Sequence, residues 1–317
     1  MNSNRILSPL VVVAGPTASG KSALALELAL RFRGEIVNCD SVQLYRGLDI
    51  GTAKTPLAER RGISHHLLDV FDPSELATAG DYSTRARAIL HEISSRDALP
   101  IVSGGTGFYL RALLDGLAEG PARSDPLRER LVAMELGRTG RLHRLLRRLD
   151  TEAARRIHAR DLNKVIRALE ICILSRRPAS LLFGDGKTKL EGFRSLKIVL
   201  EPERTALHER IAERTRRIFA SGLLDELRAL LASGVAIDAK PFESIGYREG
   251  LEVVRGRMSL EQAIEATIIR TRQYAKRQIT WFRRELDVLR VPGFGDDPRI
   301  TDELTEVTAR FVRNLHA

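Results

Sequence analysis

At 317 residues, with 43% hydrophobic and 29% charged residues, the chain can hold one large domain or two modest ones and implies no long disordered segment. No run of 18 apolar residues exists, the first residues lack a signal peptide's apolar core, and Cys39 and Cys172 lie in no metal-ligand spacing. A membrane span, a leader and a structural zinc are therefore not expected, and a reduced cytoplasmic setting is. A net charge of +10 favours a polyanionic partner, while 5% aromatic residues argue against stacking platforms over the whole surface.

Residues 10–14 form a Val-rich apolar run, the mark of a buried parallel strand. Gly15-Pro16-Thr17-Ala18-Ser19-Gly20-Lys21-Ser22 follows, and residues 23–30 are strong helix formers. Two Gly separated by four residues, then Lys and Ser, between a strand and a helix, is the pattern of a phosphate-binding loop. Gly15 and Gly20 let the backbone curl so that amides face an anion, and the helix start adds its unpaired N–H groups and dipole. Lys21 adds a point charge, and the Ser22 hydroxyl suits Mg²⁺. The loop specifies a diphosphate or triphosphate without saying which, or what becomes of it.

Residues 35–40 read as a second strand ending in Asp40, beside the phosphate loop if the sheet is parallel. A polar, Gly-punctuated binding loop spans 41–54. Residues 65–70 read as a third strand; adjacent His65 and His66 then point to opposite faces, one packed and one solvated, rather than acting as ligands. Helical spacing covers 82–95. Residues 99–102 form the next strand, and Ser103-Gly104-Gly105-Thr106-Gly107-Phe108-Tyr109 is a second Gly-rich loop opening a helix, a second wall of the site. Cys39 reads as a small core residue. This alternation implies an α/β fold with a parallel sheet flanked by helices.

The rhythm breaks after Pro121. Helices are expected over 127–136, 141–148, 153–158 and 163–174, with no strand before 191. Residues 121–180 hold 15 Lys+Arg and 7 Asp+Glu, a net +8, most of the chain's excess charge. A helical, Arg-rich insertion reads as a nucleic-acid grip. Domain bounds of 1–120, 121–191 and 192–317 follow, the outer two forming one core. The sheet resumes at 195–200, followed by helices over 204–220 and 222–231, a short polar loop over 242–248, and a long helix capped by Ser259. In that helix Ile264, Ile268, Ala275, Ile279, Phe282 and Leu286 share one stripe, the expected core face. Arg270, Tyr274, Arg277, Trp281 and Arg284 lie opposite. Residues 266–284 carry six Lys/Arg and no acid, which fits phosphate contacts and base stacking. The tail over 302–315 places Leu304, Val307, Phe311 and Leu315 on one side, for packing.

By itself the phosphate loop fits a kinase or other NTPase, with Asp40 as the Mg²⁺ carboxylate. The basic insertion and basic-aromatic helix fit better a compact enzyme that binds a diphosphate-bearing small molecule and acts on RNA or DNA. Here several blocks coincide in order over nearly the whole chain. Residues 15–22, Asp40-Ser41-Val42-Gln43-Leu44-Tyr45, Gly51-Thr52-Ala53-Lys54, residues 65–70, Gly104-Gly105-Thr106-Gly107-Phe108-Tyr109, Val165-Ile166-Arg167-Ala168-Leu169-Glu170, Gly246-Tyr247-Arg248 and Lys276-Arg277-Gln278-Ile279-Thr280-Trp281-Phe282-Arg283 together resemble the tRNA dimethylallyltransferases, also called tRNA isopentenyltransferases. The 317 residues hold no zinc-finger extension of the kind eukaryotic relatives carry, so a bacterial type is expected. The segment His158-Ala159-Arg160-Asp161-Leu162-Asn163-Lys164 departs from the family's His-Pro-Asn-Asp pattern but keeps positive charge at Arg160 and Lys164.

The resemblance implies transfer of a dimethylallyl group from dimethylallyl diphosphate to the exocyclic amine of the adenine 3′ of the anticodon. The alternatives are a small-molecule or nucleotide kinase, and a prenyltransferase acting on free adenine nucleotides. It implies that Gly15, Thr17, Ala18, Ser19, Gly20, Lys21, Ser22 and Arg214 hold the diphosphate, with Ser22 acting through Mg²⁺. Asp40 would be the general base and Thr106 would sit near the reacting carbon and leaving oxygen. The tRNA, through its anticodon stem-loop, would meet Asp40, Ser41, Val42, Gln43, Asn163, Lys164, Val165, Ile166, Arg167, Glu243, Ser244, Ile245, Gly246, Tyr247, Arg248, Lys276, Arg277, Gln278, Ile279, Thr280, Trp281, Phe282 and Arg283. A cytoplasmic monomer is expected.

Overall fold

The computed structural model describes residues 7–118, 120–184 and 188–316. The chain divides into two compact units, Met1–Leu113 with Leu190–Ala317, and Leu114–Lys189. The first begins with β1 (Ser8–Ala14), whose Leu10 to Val13 are buried, and α1 (Lys21–Arg31), which turns Leu24, Ala25, Leu28 and Ala29 inward at helical spacing. Next come β2 (Gly34–Asn38) and β3 (His65–His66). The strand expected over 65–70 stops after two residues because Leu67 and Asp69 take positive φ, 59° and 58°. Asn38 Nδ2 donates to Leu67 O at 3.0 Å and holds that turn. Both histidines are half-buried: His66 Nε2 lies 2.6 Å from Glu35 Oε2, and His65 Nδ1 lies 2.9 Å from Ile63 O. Then follow α2 (Ala79–Ser95), started by a reciprocal Thr78–Asp81 cap, β4 (Leu99–Gly104) and α3 (Gly107–Leu114).

Among the described residues of the second unit the regular elements are all helices: α4 (Asp125–Gly137), α5 (Arg141–Leu149), α6 (Thr151–Arg156), α7 (Leu162–Ser175) and α8 (Ala179–Gly184). Its core gathers Leu131, Leu142, Leu146, Val165, Ile166, Leu169 and Ile171. Glu170 is fully buried there, accepting from Arg128 twice at 3.0 Å, from Arg167 at 2.5 Å and from the Ser124 N–H at 2.7 Å. Burial alone would raise its pKa; the Arg128, Ser124 and Arg167 donors instead bring it to about 2.

The first unit resumes with β5 (Phe193–Leu200), α9 (Arg204–Ala220), α10 (Leu223–Ala232), α11 (Tyr247–Val254), α12 (Leu260–Phe282), β6 (Leu289–Val291) and α13 (Pro298–His316). The polar loop expected over 242–248 is cut short: Gly246 at φ 95° turns the chain, Glu249 accepts its N–H at 2.8 Å, and Tyr247 starts α11. The Ser259 cap is present, with Gln262 reciprocating. The stripe on α12 is corrected in part. Ile268, Ala275 and Phe282 are buried, joined by Ala263, Thr267 and Gln278, but the helix ends at Phe282 and Leu286 is 78% exposed. On α13, Leu304 is fully buried and Val307, Phe311 and Leu315 are partly so.

All six strands are parallel, in the order β3-β2-β4-β1-β5-β6. Their C-terminal ends therefore share one edge, and the turns after β1, β2 and β4 converge there.

Candidate active site

The turn after β1 carries the residues whose pattern reads as a phosphate loop. Ala18 takes φ 63°, and Gly20, at φ 82°, is the N-cap of α1. A Cβ on Gly20 would lie 2.7 Å from Asp296 Oδ1 and 2.8 Å from two backbone nitrogens, so only glycine fits. Ser19 is fully buried; Ser22 is exposed at the head of α1. Lys21 folds back and donates to Pro16 O at 2.6 Å. Its ammonium is enclosed although the residue is part-exposed. Burial first, and then the charge of Arg214, lower its pKa to about 7, against the pull of Asp40. Arg214, on α9, is lowered too, by burial and by Arg217, with Asp40 opposing. Two buried cations, each lowered by burial and by a neighbouring arginine, define a site short of negative charge.

Asp40 follows β2. Its Oδ1 accepts from the Val42 N–H at 2.9 Å and the Gln43 N–H at 3.4 Å, and Asn38 Oδ1 accepts its own N–H at 3.1 Å. Oδ2 has no hydrogen-bond partner among the described residues and is available to a ligand. The loop after β4 closes on this turn: the Thr106 N–H donates to Cys39 O, and Thr106 Oγ1 accepts from the Ser41 N–H, each at 3.3 Å. Cys39 is buried, and burial pushes its thiol up to about 12, so it is an inert core residue. The Tyr274 hydroxyl lies near the Thr106 side chain; burial and the Asp40 charge push it up to about 12.

A cleft of about 380 Å³ is lined by Thr17, Ala18, Lys21, Ser22, Asp40, Ser41, Val42, Gln43, Gly104, Gly105, Arg214, the residues from Glu243 to Tyr247, Tyr274, Arg277 and Gln278; Thr106 stands behind this lining. A second cleft of about 610 Å³ shares Ala18, Lys21, Ser22, Arg214 and Ile218 with it and adds apolar Ile50, Ala53, Pro56 and Leu57.

Several expected contact residues are placed otherwise. The Thr17 N–H does not face an anion: it donates to Gln278 Oε1 at 2.8 Å. Gln278 and Phe282 are buried, so neither presents its side chain on an outer face. Ile279 is half-buried and packs on Leu207, Ile211 and Ala275. Trp281 is half-buried beneath the Arg111 guanidinium, 4.3 Å from its ring. Lys276, Arg277, Thr280 and Arg283 remain exposed. Tyr247 is fully buried with its hydroxyl donating to Glu226, and Arg248 is exposed outside the cleft. Asn163 and Lys164 are exposed on the helical unit, Lys164 pairing with Asp161; Val165 and Ile166 are core, and Arg167 is engaged by Glu170 and Pro121 O.

Two supporting residues escape sequence reasoning. Glu226 accepts from three successive backbone N–H groups, Asp49 at 2.9 Å, Ile50 at 2.7 Å and Gly51 at 3.3 Å. It thereby seats the 49–52 turn, whose Thr52 O accepts from Arg214 at 3.4 Å. Asp296 takes both Arg210 nitrogens at 2.7 Å behind Gly20. In both cases the partners are distant in sequence.

Residues 43–285 match the family described as IPP transferase. The chain is 56% identical over 304 residues, 96% of its length and 99% of the relative's, to a tRNA dimethylallyltransferase of Solibacter usitatus. It is 51% identical to one from Koribacter versatilis, covering 94% and 97%. Among solved structures it is similar to the full-length tRNA isopentenylpyrophosphate transferase of Bacillus halodurans, with 34% identity, a TM-score of 0.72 and 98% of each chain covered. It is also similar to a eukaryotic dimethylallyltransferase acting on tRNA, with 29% identity and a TM-score of 0.84, covering 97% of this chain and 80% of that one.

Proposed function

The chain belongs to the IPP transferase family, and from that premise we propose that it transfers a dimethylallyl group from dimethylallyl diphosphate to the exocyclic amine of the adenine 3′ of the anticodon in tRNA, releasing diphosphate. The observation that carries the reading is one cleft in which an anion-poor phosphate loop, with Lys21 and Arg214, faces a carboxylate with a free oxygen, Asp40.

The chemistry follows from these groups. An allylic C–O bond breaks readily when the departing diphosphate is neutralised. The α1 N-terminus, Lys21 and Arg214 provide that charge inside a partly water-excluded cleft. Diphosphate binding draws a proton onto Lys21, because an anion beside it restores an ordinary lysine pKa. Asp40 Oδ2 accepts a hydrogen bond from the adenine amine and takes its proton as the new C–N bond forms, when that amine becomes acidic. The adenine leaves its stack to reach the cleft. The loop thus holds a leaving group, and no phosphoryl group moves. The Ser22 hydroxyl, exposed to both clefts, is a hard oxygen donor of the kind Mg²⁺ takes alongside diphosphate oxygens and water. Ser22 would hold that ion, which would add positive charge for the leaving group. The 610 Å³ cleft, with Ile50, Ala53, Pro56 and Leu57, suits the donor, and the cleft lined by Asp40 and Tyr274 suits the base.

The test is mass spectrometry of tRNA nucleosides after incubation with dimethylallyl diphosphate. Prenylated adenosine confined to the position 3′ of the anticodon is expected. ATP hydrolysis without a prenyl donor, or prenylation of free AMP with tRNA untouched, overturns the reading.

A further inference from the structure

Thr17 lies in the loop after β1 and Gly105 in the loop after β4, two strands that are neighbours in the sheet. The side chain of Gln278, on α12, reaches both. Its Oε1 accepts from the Thr17 N–H at 2.8 Å and its Nε2 donates to Gly105 O at 2.9 Å. The residue is 5% exposed, so these bonds do not compete with bulk water. A Cβ on Gly105 would lie 2.2 Å from Nε2, so the amide is seated against bare backbone. From Gly105 the connection continues through Thr106 to Cys39 O and the Ser41 N–H, the residues flanking Asp40.

We propose that Gln278 is a positioning residue for prenyl transfer, its carboxamide fixing the spacing between the diphosphate loop and the Gly105–Thr106 loop, against which the turn bearing the base is hydrogen-bonded. This rests on the reaction proposed above. The two ends of the amide are not interchangeable. Glutamate keeps the acceptor for Thr17 but sets a carboxylate oxygen against Gly105 O; methionine fills similar volume and makes neither bond. Without the bridge each substrate still binds its own loop, but the allylic carbon and the amine are no longer held in register. An ångström of misplacement is enough to cost about 10²-fold in rate. The ionising carbon then meets water instead: its bond to the diphosphate oxygen breaks, a bond to a water oxygen forms, and that water loses a proton to solvent. The products are dimethylallyl alcohol and diphosphate.

The experiment uses the full chain as wild type, Gln278→Met and Gln278→Glu, and measures prenylated tRNA, dimethylallyl alcohol and diphosphate together. Both variants are expected to lose about tenfold or more in kcat for transfer, to keep the KM of each substrate within about threefold, and to lose a larger share of donor to alcohol. The product ratio is independent of the folded fraction, so a purely structural lesion does not move it. Wild-type kcat and product ratio in both variants overturn the proposal. So does a raised KM for tRNA with kcat intact, which would make Gln278 a tRNA contact. Amide hydrogen exchange at Thr17, expected to be faster in Gln278→Met, tests the bridge without catalysis. Unchanged exchange overturns the bridge even if the wild-type chain transfers nothing to tRNA, a result that by itself sinks only the reaction.

Discussion

Asp40 keeps its turn through Oδ1, and on the proposed function Oδ2 is the oxygen left for the substrate, so the two oxygens would have separate duties. Asp40→Asn retains an oxygen for the Val42 and Gln43 amides but removes the base. Transfer should fall about 10²-fold or more while donor binding is kept; single-turnover rates beside equilibrium binding of dimethylallyl diphosphate check this. Lys21 makes a pH-dependent prediction. Its pKa in the free protein is about 7, below the usual 10.5. Between those values the unfolded chain holds a proton that the folded chain has released, so this group makes the free protein more stable as pH rises from 7 to 10.5. Diphosphate binding runs the other way: it is favoured when Lys21 is charged and weakens as pH rises through 7, by at most about tenfold per unit. Diphosphate itself ionises in this range, so the informative quantity is the difference from Lys21→Arg, whose charge does not titrate. Calorimetry from pH 6 to 9 should show proton uptake in the wild type beyond that of the variant; identical profiles would mean Lys21 is already charged.

At the scale of elements, α12 carries a packing residue and an exposed cation within two turns. Phe282 is 2% exposed, and Phe282→Ala should cost about 3–5 kcal/mol in unfolding free energy. Arg277 is exposed on the cleft, its guanidinium 5.6 Å from the Tyr274 ring. Arg277→Ala should leave the melting temperature unchanged and lower the salt slope of tRNA binding by about one unit, the signature of one lost phosphate contact. A lowered melting point with an unaltered slope would reverse that assignment. The same helix shows what sequence can and cannot disclose. Its start was legible because Ser259 and Gln262 are a local cap, and part of its buried stripe because periodicity is local. Gln278 stood only as a tRNA contact implied by the resemblance, and its structural bonds were not legible because its partners, the Thr17 N–H and Gly105 O, are backbone atoms with no residue signature. Glu226 was hidden for the same reason. The over-long third strand failed at Leu67, an ordinary apolar residue bent to positive φ by a tertiary hydrogen bond. By contrast Lys21, Asp40 and Thr106 lie in contiguous motifs after strands, and the parallel sheet brings such loops to one edge.

At the scale of the molecule, the two units carry different kinds of stabilisation. The sheet unit is built on apolar strands, whereas the helical unit spends part of its interior on Glu170 with Arg128 and Arg167. Glu170→Ala leaves two arginines facing a cavity and should destabilise that unit by about 3 kcal/mol. Diphosphate binding, which uses residues of the sheet unit alone, should be unaffected. Hydrogen exchange resolved by segment, beside a diphosphate titration, checks both halves. Equal loss of protection in both units would show that they unfold as one.

The backing of the phosphate loop has a consequence for biosynthesis. Ser19 O accepts from the Gly295 N–H at 2.9 Å, and Asp296 sits where a side chain on Gly20 would be. The loop stands between β1 and α1, yet its supports lie beyond β6, far away in chain order. A nascent chain can display every residue of the matched span 43–285 and still lack a finished anion cradle. On the proposed function, donor binding therefore waits on a long-range contact, and a partly folded chain would hold diphosphate poorly.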